Sequence, residues 1–137
     1  MARTRRTLPP QRLILDAGAV IGLSRGNHSI RAFLRRSIEL DIPVEIPVVV
    51  VAETIRGTGR DAPVNRVLKA VGDVPETTPA VGRLAGRLLG ETGSSATIDA
   101  LVVAHAVEAG GGAILTSDAK DLSRLSEAHP EVQIQPV

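Results

Sequence analysis

Short aliphatic runs alternate with helix-length segments along the whole chain, and this alternation constrains the fold more than any other feature. Residues 13–15, "LIL", read as a strand that stops at Asp16 and a glycine turn. "GNHSIRAFLRRSIELD" follows with helical periodicity, Ile30, Phe33, Leu34 and Ile38 sharing one face. "PVEIPVVVVAETIRG" is ambiguous, because four valines favour a strand while Pro47 suits a helix start. It divides best into a short strand through Ile46 and a helix carrying Glu53. "APVNRVLKAVG" and "PAVGRLAGRLLGETG" are two helices with proline near their starts and glycine past their ends. "DVPET" between them is a candidate short strand. "SSATIDALVVAHAVEAGGG" is a helix apolar on most faces, hence buried, with Ser or Thr to cap it and Asp99 in its first turn. Then come a strand at "AILT", a helix in "DAKDLSRLSEA" and a last strand at "VQIQ". Such alternation predicts an α/β fold, a central parallel sheet covered on both faces.

The chain has 137 residues, the size of one domain, and 43% are hydrophobic. Aromatics are only 1%, so the core must be aliphatic, and a base-stacking platform for single-stranded nucleic acid is nearly excluded. Cysteine is absent, which removes disulfides, thiolate zinc sites and a cysteine nucleophile, and fits a reducing cytoplasm. No apolar run reaches the roughly 18 residues of a membrane span. Arg3, Arg5, Arg6 and Arg12 crowd the start without an apolar signal-peptide segment behind them. Residues 1–11 are therefore expected to be a basic flexible tail, and 12–137 a single domain.

Parallel α/β sheets gather functional groups beyond the carboxyl ends of their strands. Asp16 and Asp118 each follow a strand directly, Asp99 opens a buried helix, and Glu53 lies on the helix after the second strand. Each also has a plain structural reading: Asp16 and Asp118 as helix caps, Asp99 as a first-turn acid, Glu53 as a surface charge. Gathered at one sheet edge, they would repel one another unless a cation neutralised them. Carboxylate oxygens with open positions suit Mg²⁺ or Mn²⁺. Asp121, one turn beyond Asp118, is assigned a structural or supporting place. His28, His105 and His129 have no ligand spacing to one another, and His105 reads as a packed or interface histidine.

Four stretches, "LILDAGAVIGLSRG", "VVVVAETIRG", "TIDALVVAHAVEAGG" and "AILTSDAKDL", together resemble the acidic motifs of PIN-domain ribonucleases, above all the VapC-like toxins of bacterial toxin–antitoxin systems. The resemblance spans about residues 12 to 127. It implies a three-layer α/β/α PIN-like fold and a metal-dependent endoribonuclease. Asp16, Glu53, Asp99 and Asp118 match the catalytic acids. Asp16 and Asp99 would hold the principal Mg²⁺ (or Mn²⁺), Asp118 would help or hold a second ion, and Glu53 would orient or deprotonate a water or ligate a second ion. Thr116 matches a hydroxyl residue that bonds a metal-bound water or a ligand carboxylate. Gly18 departs from the pattern, since the family often has Ser or Thr there. Also implied are a cognate antitoxin that plugs the groove, a homodimer and a bacterial cytoplasmic location. RNA as substrate comes from the resemblance, because water-driven hydrolysis needs no ribose 2′-hydroxyl. Arg25, Arg31 and Arg56 flank the motifs as phosphate contacts, or else lie on solvated faces.

Other classes fit less well. An aspartyl phosphatase needs a second Asp where Gly18 stands, and a receiver domain needs an adjacent acidic pair. "DAGAVIG" is no G-x-G-x-x-G turn, and a P-loop is absent. A PIN-like binding module without catalysis is the main alternative.

Overall fold

The computed structural model describes residues 9–137, so Arg3, Arg5 and Arg6 lie outside the described residues. β1 (Leu13–Leu15) is followed by α1 (Ala17–Ser24), α2 (His28–Glu39), β2 (Val44–Glu45) and α3 (Val48–Thr54). A 3-10 turn (Gly59–Asp61) leads into α4 (Ala62–Val71), α5 (Pro79–Thr92) and α6 (Thr97–Glu108). β3 (Gly112–Thr116), α7 (Lys120–Leu125) and β4 (Val132–Pro136) complete the chain. The strands form one sheet in the order β2-β1-β3-β4, parallel throughout, with helices covering it in a three-layer α/β/α arrangement. Ile14 faces Glu45 on one side and Ile114 on the other.

The centre of the sheet is wholly buried: Ile14, Leu15, Ile114 and Leu115 have no exposed surface. α6 packs on it with Ala100, Val102, Val103, Ala104 and Ala106, all buried. Small residues in that row let a helix without a polar stripe sit between sheet and neighbouring helices. α4 and α5 end as the sequence indicates, on Gly72 and Gly93 in the left-handed region (φ +77° and +68°).

Several local expectations are corrected. The glycine turn after Asp16 is instead α1, with Gly18 inside its first turn. Ile38 is 65% exposed, because Ser37 takes the inward position on α2 beside Ile30 and Phe33. "DVPET" forms no strand, although Ile46 N–H donates to the Asp73 carbonyl (3.0 Å) and Val48 N–H to that of Pro75 (3.1 Å). Pro75 has no N–H to return, so the ladder cannot close. α6 begins after Ala96 without a side-chain cap, while the Ser94 hydroxyl accepts from Ala96 N–H (3.1 Å).

Arg12 is part of the fold. Its guanidinium donates to the carbonyls of Ala109 (2.8 Å) and Gly111 (3.0 Å) and to Glu45 Oε2 (3.1 Å). The other oxygen of Glu45 lies 2.8 Å from His105 Nε2, so His105 is a packed histidine. This partly buried polar knot lies where the chain enters β1 and β3, at the sheet edge opposite Asp16 and Asp118.

Candidate active site

Strand order creates the site. The connection from β1 leads to one side of the sheet and that from β3 to the other, so the carboxyl ends of β1 and β3 flank the switch point. Asp16 leaves β1 there, and its N–H donates to the Leu115 carbonyl (3.2 Å), tying it to β3. Its side chain caps α1, accepting from Ala19 N–H (2.9 Å). The cap reading of Asp16 therefore holds, and since one carboxylate oxygen bonds the helix, the other is left for further contacts. Burial raises the Asp16 pKa and the charge of Asp118 adds to this, against the lowering effect of Thr116 and the Ala19 and Gly18 amides.

Thr116 is fully buried at the end of β3 and shapes the turn beyond it. Its hydroxyl accepts from Asp118 N–H (2.9 Å) and donates to the Asp118 carbonyl (3.0 Å). The same hydroxyl is close enough to Asp16 to favour its charged form. Asp118 does not act as the expected cap, because α7 starts at Lys120 after Ala119. Its Oδ1 reaches Lys120 N–H only at 3.5 Å, so its carboxylate is exposed and nearly uncommitted.

Asp99 stands in the first turn of α6, half-buried. Its pKa is raised to about 6, first by burial and then by the charges of Asp121, Asp16, Glu53 and Asp118. Glu53, exposed in the last turn of α3, is also raised, by burial and by Asp16, with Arg56 pulling the other way. The four acids singled out from sequence thus share one electrostatic field, brought there by two strand ends and two helices. Asp121, assigned a supporting place, is the acid whose charge weighs most on Asp99. Its three-residue offset from Asp118 is visible in sequence, but its nearness to α6 depends on how α7 packs.

Among the described residues, the salt bridges pair no Lys or Arg with any of these five acids. Equally, among the described residues no three acidic or histidine side chains stand close enough together to enclose an ion as they are. The donor set has the hard oxygens and uncompensated charge that suit Mg²⁺ or Mn²⁺. Ligation would need the side chains to draw inward.

A PIN-domain family model matches residues 13–128, and the chain belongs to the PIN-domain family. Solved structures of similar fold include VapBC2 from Rickettsia felis bound to a promoter DNA fragment. There the TM-score is 0.73 at 14% identity, covering 91% of this chain and 98% of the other. DNA-bound VapBC from Salmonella typhimurium gives a TM-score of 0.71 at 15% identity, covering 91% and 97%. FitAcB from Neisseria gonorrhoeae gives 0.65 at 17%, covering 90% and 96%. No curated protein sequence matches the chain.

Proposed function

We propose that this protein is a metal-dependent endoribonuclease, acting as the toxin of a bacterial toxin–antitoxin pair. The observation that carries this is the mutual repulsion of Asp99 with Asp16, Glu53, Asp118 and Asp121 at the sheet's switch point, with no salt-bridged cation among the described residues. Gathering carboxylates this way costs stability, which a divalent cation would restore. The partner assignment is supported by likeness of fold to chains of VapBC and FitAcB structures. A homodimer belongs to the same analogy.

Asp16, Asp99 and Asp118 would hold the ion, with Asp121 bearing on Asp99. Bound Mg²⁺ or Mn²⁺ supplies charge neutralisation at the phosphate and a water activated for attack. Asp16 is held in place by Ala19 N–H, so its free oxygen is oriented before any ligand arrives. Glu53, with its raised pKa, accepts the proton of the attacking water as that oxygen bonds phosphorus and the ribose oxygen departs. Arg56, whose charge reaches Glu53 while its guanidinium donates to the Ala52 and Ile55 carbonyls, is the arginine proposed to meet the scissile phosphate. Arg25 closes the far end of α1, roughly 14 Å from Asp16 along the helix, and Arg31 stands on α2, so both are candidates only for more distant phosphates of a longer RNA.

The test is cleavage of total RNA with Mg²⁺ or Mn²⁺, with EDTA, and with Asp99→Asn, alongside calorimetry of metal binding. Metal-dependent fragments lost in the variant are expected. Absence of both cleavage and metal binding would overturn the assignment in favour of a non-catalytic PIN module.

A further inference from the structure

Ser117 stands between Thr116 and Asp118 at the end of β3, with its side chain exposed. A Cβ built on Gly18 would lie 2.0 Å from the Ser117 hydroxyl oxygen and 3.1 Å from its Cβ. The hydroxyl therefore fills the space that any side chain at position 18 would take. Gly18 has an ordinary helical backbone, so conformational freedom is not the reason glycine is suited there. What glycine provides is room. The Ser117 hydroxyl is seated against the first turn of α1, whose Gly18 amide supports the Asp16 carboxylate. On its other side begins the Asp118 turn.

The two neighbouring hydroxyl residues differ in commitment. That of Thr116 is bound on both sides to Asp118's backbone. Among the described residues the Ser117 hydroxyl makes no hydrogen bond to protein, leaving one donor and two acceptor positions. It stands at the exposed end of β3, against the first turn of the helix that Asp16 caps and next to Asp118 in the chain.

We infer that Ser117 is a positioning residue of this site, and that Gly18 is its complement. The Ser117 hydroxyl hydrogen-bonds an oxygen ligand held between Asp16 and Asp118, and the missing side chain at position 18 lets it reach there. The oxygen belongs either to the hydration shell of a divalent cation or to a phosphate. This rests on the nuclease reading, and the experiment separates the two.

Mn²⁺ affinity is measured by calorimetry on wild type, Ser117→Ala and the double variant Gly18→Ser/Ser117→Ala. RNA affinity is measured on the same proteins with Ca²⁺ as a cation that does not support cleavage. Ser117 is exposed, so Ser117→Ala should fold as wild type, which thermal melting verifies. Loss of the hydroxyl should weaken binding roughly 3- to 10-fold, the value of one hydrogen bond. Weaker Mn²⁺ binding identifies a hydration water, and weaker RNA binding with unchanged Mn²⁺ affinity identifies a phosphate oxygen. The double variant offers a hydroxyl from α1 instead, one bond beyond a Cβ that lies 2.0 Å from the vacated oxygen position and 3.1 Å from the retained Cβ of residue 117, and should recover part of the lost affinity. A residue that merely fills space would not be rescued this way. Unchanged Mn²⁺ and RNA affinity in a folded Ser117→Ala overturns the inference. Wild type that binds neither Mn²⁺ nor RNA overturns the nuclease reading beneath it.

Discussion

Removing the charge of Asp99 should stabilise the metal-free protein at neutral pH, and the size of the effect follows from the site. The Asp99 pKa rises from 3.8 to about 6 on folding. The folded protein therefore holds this proton at pH values where the unfolded chain has lost it. Stability falls as pH rises from about 4 to above about 6, and returns as pH falls through the same window. A shift of that size corresponds to about 3 kcal/mol. Asp99 is half-exposed, and solvent screening reduces this to roughly 1–2 kcal/mol. In Asp99→Asn the cost vanishes, so the variant should melt about 3–10 °C above wild type at pH 7.5 in EDTA, and about equally at pH 4. Adding Mn²⁺ should raise the wild-type melting temperature and leave the variant nearly unchanged. Differential scanning calorimetry across pH 4–7.5 measures all of this, and the difference between the two proteins cancels other titrating groups. A variant no more stable than wild type at pH 7.5, or a difference that does not change with pH, would refute the claim that repulsion and burial strain this cluster.

Two further outcomes concern the scaffold. Glu45→Ala leaves His105 and Arg12 without their shared partner and should cost about 1–3 kcal/mol, read by urea denaturation, with Mn²⁺ affinity unchanged because the knot lies at the opposite sheet edge. Asp61 accepts from the N–H groups of Arg56, Gly57 and Thr58, and these bonds lower its pKa, so its contribution is present at neutral pH and lost as pH falls below the usual carboxylate range. Asp61→Ala should accelerate hydrogen exchange of those three amides and loosen Arg56, while exchange in β1 and β3 stays slow.

Much of this architecture is legible in residue order because it rests on local rules. Residues 13–15 and 113–115 are aliphatic runs too short for helices, and proline and glycine bracket α4 and α5. The misreadings occur where a neighbour in space outweighs the local pattern. Ile38 fits a helical apolar face, yet α2 turns Ser37 inward. Pro75 lies alongside β2 but cannot return the hydrogen bond a strand requires. Glu45 carries no signal of its partner in the sequence, since only the return of α6 supplies His105.

The candidate site divides along the same line. Residue order alone determined that Asp16 and Asp118 follow strands and that Asp99 opens an apolar helix, since each of these depends on a few adjacent residues. Tertiary structure alone decided that β1 and β3 are neighbours, pairing Ile14 with Ile114 and so setting Asp16 beside the Asp118 turn. It also decided that Asp121 weighs most on Asp99 and that the Ser117 hydroxyl occupies the space above Gly18. These contacts join residues far apart in the chain, and they form only when burial of the sheet offsets the entropy of closing the long loops between them.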